Sequence, residues 1–148
     1  MTPPTEAETA AAHATLYAAG LEVRTAVAGR EHVERSLAAH SSTFSRPMQE
    51  LATEAGWGWM WTRLGLEHKT RSMLNIAMLC ALNRMTELAV HVRGAVRNGC
   101  TEEEIREVLL QVAVYVGMPA GLEGTRVAEG VLKRMREEAE VQQSEGQA

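Results

Sequence analysis

Residues 69–117 read KTRSMLNIAMLCALNRMTELAVHVRGAVRNGCTEEEIREVLLQVAVYVG, and this stretch decides the fold. Its first part, Thr70 to Leu82, is apolar on nearly every side (Met73, Leu74, Ile76, Ala77, Met78, Leu79, Cys80, Ala81), which predicts a central helix surrounded by protein. From Met85 to Asn98 the apolar residues Met85, Leu88, Val92, Ala95 and Val96 recur at three- and four-residue intervals, the period of one amphipathic helix. Gly99 suits a positive φ that ends it, and Thr101 with Glu104 has the spacing of a capping box, so a tight helical hairpin is predicted. Ile105, Val108, Leu109, Val112, Ala113 and Val116 continue the pattern to Gly117, and Pro119 opens a last helix expected over Ala120 to about Arg136.

Outward from this core, Leu16, Ala19, Val23 and Val27 predict a helix from about Glu6 to Val27, with Gly20 as its weak point. Another is expected near Pro47 to Trp57. Proline occurs only at positions 3, 4, 47 and 119, and no run alternates apolar with polar residues, so the fold class is all-α. The 148 residues are expected to form a single domain with an ordered core over about 6–137 and polar, frayed tails at 1–5 and 138–148.

Fifteen basic against 19 acidic side chains give a net charge of −4, and 45% of the chain is hydrophobic, so most of it is expected to fold. Nucleic acid is not an expected partner, because polyanion binding needs clustered cations and only two lysines are present. No apolar run is long enough for a membrane helix, and residues 1–12 carry Glu6 and Glu8 where a leader peptide would be basic; the expected location is cytoplasmic. Cys80 and Cys100 have no CxxC spacing and read as small buried thiols.

Chemistry is concentrated in two places. On a helix, Arg84, Glu87, His91 and Asn98 share a strip roughly 60° wide beside the apolar face, where a cleft or an interface would lie. Glu87 and His91, four apart, are spaced to hydrogen-bond, which would fix the imidazole tautomer and tune a general acid; the same spacing also suits a boundary pair that only adds stability. Trp57, Trp59 and Trp61 alternate with Gly58 and Met60 and are followed by Arg63. Half of the six aromatics therefore stand beside a guanidinium able to grip a carboxylate, or fill core space around a turn. Arg71 is a second candidate anion anchor, and Tyr115 is placed to offer its hydroxyl to a site or to a backbone partner. The histidines have no metal-ligand spacing, and no phosphate loop or nucleophile elbow is present, so neither metal nor cofactor is expected.

Taken together, Trp61-Thr62-Arg63, Gly65-Leu66, Thr70-Arg71-Ser72, Ala81-Leu82-Asn83-Arg84, Glu87-Leu88, His91-Val92-Arg93, Asn98-Gly99 and Glu107-Val108-Leu109-Leu110-Gln111 resemble the carboxymuconolactone decarboxylase family. Tyr17, Gly20-Leu21, Val23-Arg24, Gly29, His32-Val33 and Arg35-Ser36 extend the likeness, which runs from about residue 17 to 131 and is nearest to the 4-carboxymuconolactone decarboxylase branch. The resemblance implies an alkylhydroperoxidase D-like all-α fold with a central hairpin, assembled as a homo-oligomeric ring, a trimer or hexamer. In the sister thiol-peroxidase branch, registered on His91, the two reactive cysteines fall at Arg84 and Glu87 and an acidic partner at Ser72. None of the three is kept, so peroxidase chemistry lacks its nucleophile.

The resemblance further implies a carboxy-lyase that needs no cofactor, acting on a small acidic lactone in aromatic catabolism through the β-ketoadipate pathway. Its expected site has His91 as general acid tuned by Glu87, with Arg63, Arg84 and Arg71 for the carboxylates, and Trp61 and Tyr115 shaping the pocket. Leu64 stands where relatives have proline and Leu122 where they have asparagine. These departures point to a competing expectation, a decarboxylase or isomerase for another cyclic substrate; a third is a ligand-binding oligomer without catalysis, in which Glu87 and His91 are purely structural.

Overall fold

The computed structural model describes residues 2–146, which form seven α-helices, one π-helical stretch and no strand. The expectations of frayed ends at Met1, Gln147 and Ala148 lie outside the described residues. The chain divides after Leu66 into two compact helical units.

The first unit holds α1 (Glu6–Ala28), α2 (Arg30–Ala39), α3 (Arg46–Leu51) and the π-helical stretch Ala52–Met60. Thr5 caps α1 in a full capping box with Glu8: the Glu8 amide donates to Thr5 Oγ1 at 3.3 Å and the Thr5 amide to Glu8 Oε2 at 2.8 Å. Gly29, at φ 93, separates α1 from α2. No apolar pattern announces α2, because Val33 is its only buried residue. The predicted helix over 47–57 begins as α3 but changes register at Ala52, where the bonding lengthens to five residues back. Trp61 N–H donating to the Gly56 carbonyl at 3.3 Å is one such bond. Helix α1 packs against this stretch through two glycines. A Cβ on Gly20 would run into the Thr53 carbonyl oxygen, and one on Gly58 into that of Leu16. Gly20 is therefore the point of close approach in α1 and not a weakness in it.

The second unit holds α4 (His68–Ala81), α5 (Met85–Arg97), α6 (Glu102–Tyr115) and α7 (Met118–Glu145). The predicted hairpin forms: Gly99 takes φ 86, the Thr101 amide donates to Glu104 Oε2 at 2.8 Å, and the Glu104 amide donates to Thr101 Oγ1 at 3.1 Å. Asn83, at φ 56, turns the chain from α4 to α5, a conformation asparagine tolerates better than most residues. Ile76, Leu88, Val92, Ile105, Leu109, Val112 and Val131 form the core. Each large apolar side chain so buried contributes about 1.5–3 kcal/mol.

Two expectations need correction here. Helix α7 runs nine residues past the expected end at Arg136, through most of the supposed tail, because nothing between Pro119 and Gly146 breaks it and Arg93 grips Glu138 with both nitrogens, at 2.6 and 3.0 Å. Nor is α4 surrounded by protein. Leu74 and Met78 are 47% and 52% exposed, and an apolar groove of about 490 Å³ lies between α4 and α6. No helix among the described residues is long and apolar enough to cross a membrane.

Candidate active site

In the first unit the aromatic segment is built on the π-helical stretch. One turn of such a helix takes up more than four residues, so side chains four apart stand nearly above one another. Trp57 and Trp61 accordingly stack with centroids 5.0 Å apart and an interplanar angle of 28°. Trp61 is buried, whereas Trp59 is half exposed and carries the Arg63 guanidinium 4.9 Å from its ring centroid. Two threonine hydroxyls bracket the segment, Thr53 donating to the Gln49 carbonyl at 2.8 Å and Thr62 to the Gly58 carbonyl. Runs of π-helix are rare and gather at functional sites, and this one holds an arginine over an indole.

In the second unit α5 presents His91 and Asn98 to α4, as the polar strip predicts. Asn75 Nδ2 lies 3.4 Å from His91 Nδ1, and one step along the hairpin Asn98 Nδ2 donates to Ser72 Oγ at 2.9 Å. Ser72 is fully buried and Arg71 nearly so. The expected Glu87 to His91 bond is not made. Glu87 is exposed in the first turn of α5 and forms no hydrogen bond or ion pair among the described residues. Asn75 is one group facing the imidazole, and sequence reasoning missed it. Its signal was its position, four residues after Arg71 and three after Ser72, on the same face of α4. Arg84 caps the start of α5 and is exposed.

Tyr115 does not join this group. It is 82% exposed at the end of α6 and lines the apolar groove with Leu74, Met78 and Val116, a wall that contains neither His91 nor Glu87. Arg63 and Trp61 belong to the first unit; Arg71, Arg84, Glu87 and His91 belong to the second. No cluster of three or more His, Cys, Asp or Glu among the described residues is arranged to hold a metal ion.

The carboxymuconolactone decarboxylase family model matches residues 46–130, a span that takes in the tryptophan segment and the whole α4 to α6 core. The chain belongs to the carboxymuconolactone decarboxylase family. It is 42% identical over 117 residues to the 4-carboxymuconolactone decarboxylase of Acinetobacter baylyi, covering 79% of this chain and 87% of that one. It is 41% identical over 133 residues to the nitrosuccinic acid decarboxylase npaB of Metarhizium robertsii, covering 90% and 92%. An uncharacterized 15.0 kDa protein of Paracoccus denitrificans is 32% identical over 87 residues, 57% of this chain and 65% of that one. With two named decarboxylases at such coverage, this family member is a carboxy-lyase.

The two cysteines are not arranged for thiol chemistry. Cys80 and Cys100 are both free and buried, Cys80 Sγ donating to the Ala120 carbonyl at 3.1 Å and Cys100 Sγ to that of Lys69 at 3.6 Å. Burial pushes both thiols up, the reverse of what a reactive thiolate requires. Leu64 and Leu122, the departures from the family pattern, are both exposed on the single chain.

Proposed function

We propose that this carboxy-lyase acts on 4-carboxymuconolactone, releasing CO₂ and forming the β-ketoadipate enol-lactone. The observation that carries the reading is a histidine kept on the inner face of α5 and braced by Asn75, in a chain 42% identical to a 4-carboxymuconolactone decarboxylase. The bond from the ring carbon to its carboxylate breaks, and the electron pair passes through the conjugated double bond into the lactone carbonyl. A proton then returns to the ring carbon beside that carbonyl. His91 is the proton donor. With the Asn75 amide 3.4 Å from Nδ1, Nε2 is the ring nitrogen left to exchange the proton with substrate. Arg63, Arg71 and Arg84 supply positive charge for a dianionic substrate, Arg63 resting over the Trp59 ring, and Trp61 shapes the pocket.

The second reading is decarboxylation of nitrosuccinate, favoured by 41% identity over 90% of the chain to an enzyme named for that substrate. The two reactions share their logic. Nitrosuccinate is also a small dicarboxylate, and the electron pair left by CO₂ is accepted by the nitro group as a nitronate, again without a bound cofactor.

Incubating the protein with each substrate and following CO₂ release separates the readings. The expected result is turnover of the lactone, reduced about 10²- to 10⁴-fold in His91→Ala with the helical circular dichroism unchanged. Turnover of nitrosuccinate alone selects the second reading, and full activity in His91→Ala removes the histidine from the mechanism. The homo-oligomer is proposed on the same family basis, with a second copy of the chain over the apolar groove of α4 and α6.

A further inference from the structure

Arg24 sits on α1 in the first unit and is only 7% exposed, yet none of its hydrogen-bond partners is a carboxylate. Nη1 donates to Thr53 Oγ1 at 2.8 Å, and Nη2 to Gln49 Oε1 at 2.9 Å and to Ser36 Oγ at 3.1 Å. A buried cation is ordinarily matched by an anion, and an apolar side chain of similar volume would fill the space without the desolvation cost. What the guanidinium supplies that leucine or methionine cannot is directed bonding, from one rigid plane to α2, α3 and the start of the π-helical stretch at once.

Its contact with Thr53 falls where the register changes. Ala52 N–H still bonds three and four residues back, to Gln49 and Met48, whereas from there the helix bonds five back. The Thr53 hydroxyl accepts from Arg24 and donates to the Gln49 carbonyl, so its proton and a lone pair are both fixed at the switch. We propose that Arg24 is a positioning residue: by holding Thr53 it sets the register of Ala52–Met60, and so the places of the Trp57 and Trp61 stack and of Arg63 on Trp59. Its consequence for turnover rests on the decarboxylase reading given above; its consequence for the indoles does not.

Three variants test this, each measured by the exciton couplet of the stacked indoles in circular dichroism and by kcat/KM on the substrate turned over. Arg24→Lys, whose single ammonium cannot serve three acceptors in one plane, and Thr53→Val should both lose the couplet. Both should lower kcat/KM about 10- to 100-fold, as misplacing a binding group does. Thr53→Ser, which keeps the hydroxyl, should restore both. The couplet and kcat/KM unchanged in folded Arg24→Lys and Thr53→Val would overturn the proposal, even if those variants melt earlier, because Arg24 would then be only a brace. Should Arg24→Lys fail to fold, the threonine pair decides alone. If the wild type turns over neither substrate, the functional reading fails while the couplet still decides the positioning.

Discussion

At the scale of single residues, His91 shows which part of a site a helical period can reveal. The strip on α5 put His91 and Asn98 on one side, and both meet groups of α4: Asn75 lies beside the imidazole and Ser72 accepts from Asn98. Spacing along one helix gives candidates for contact; which of them is nearest depends on the neighbouring helix. Glu104 is the opposite case, legible as a capping residue and found to do more. It bonds Lys69 at 2.7 Å as well as the Thr101 amide, and these two contacts, the lysine first, hold its carboxyl below its ordinary value near 4.5. A carboxyl whose pKa is depressed by folding stabilises the fold fully above its unfolded pKa, and that contribution is lost as the pH falls through the folded value. Glu104→Gln can still cap the helix but has no charge to lose. Its melting temperature should therefore fall less steeply than that of the wild type between neutral pH and about pH 3. Parallel acid profiles for the two proteins would show that the ionised form of Glu104 adds nothing.

Among the elements, the π-helical stretch is the one that sequence reasoning reads only in outline. Apolar spacing near Pro47 to Trp57 announces a helix, but a shift from four- to five-residue bonding leaves almost no periodic trace in nine residues. What selects it is outside the segment: α1 brings Gly20 against Thr53 and Gly58. A methyl group at Gly20 would have to displace backbone atoms of the stretch, so Gly20→Ala should destabilise the first unit by about 1–3 kcal/mol or more. Nothing lies near a Cβ at Gly56, and Gly56→Ala should be neutral or stabilise by up to about 1 kcal/mol. All three tryptophans lie in this unit, so urea unfolding followed by their fluorescence reads the difference directly. Equal midpoints for the two variants would contradict the close approach.

For the whole molecule, proline placement and apolar periodicity announced the helical class that the structure has, and the α4 to α6 core follows the apolar pattern from Met73 to Val116. The same pattern over-reached at α4. Its outer residues are apolar yet half exposed on the single chain, and with Tyr115 they line a groove that water must wet unless another surface covers it. Under the proposal that a second copy does so, light scattering should find the wild type as a multiple of the 16.2 kDa chain and Met78→Glu as a smaller species. A monomeric wild type would sink the idea. The sequence by itself determined the helical class, the capped turn at Thr101, the family and the place of His91, because periodicity, caps and motifs are local properties of the chain. Only the tertiary structure decided that Asn75 faces the imidazole, that Tyr115 stands on an apolar groove, and that a buried Arg24 bonds Thr53. Those are contacts between residues on different helices, and their geometry is set by packing, which no spacing along one helix encodes.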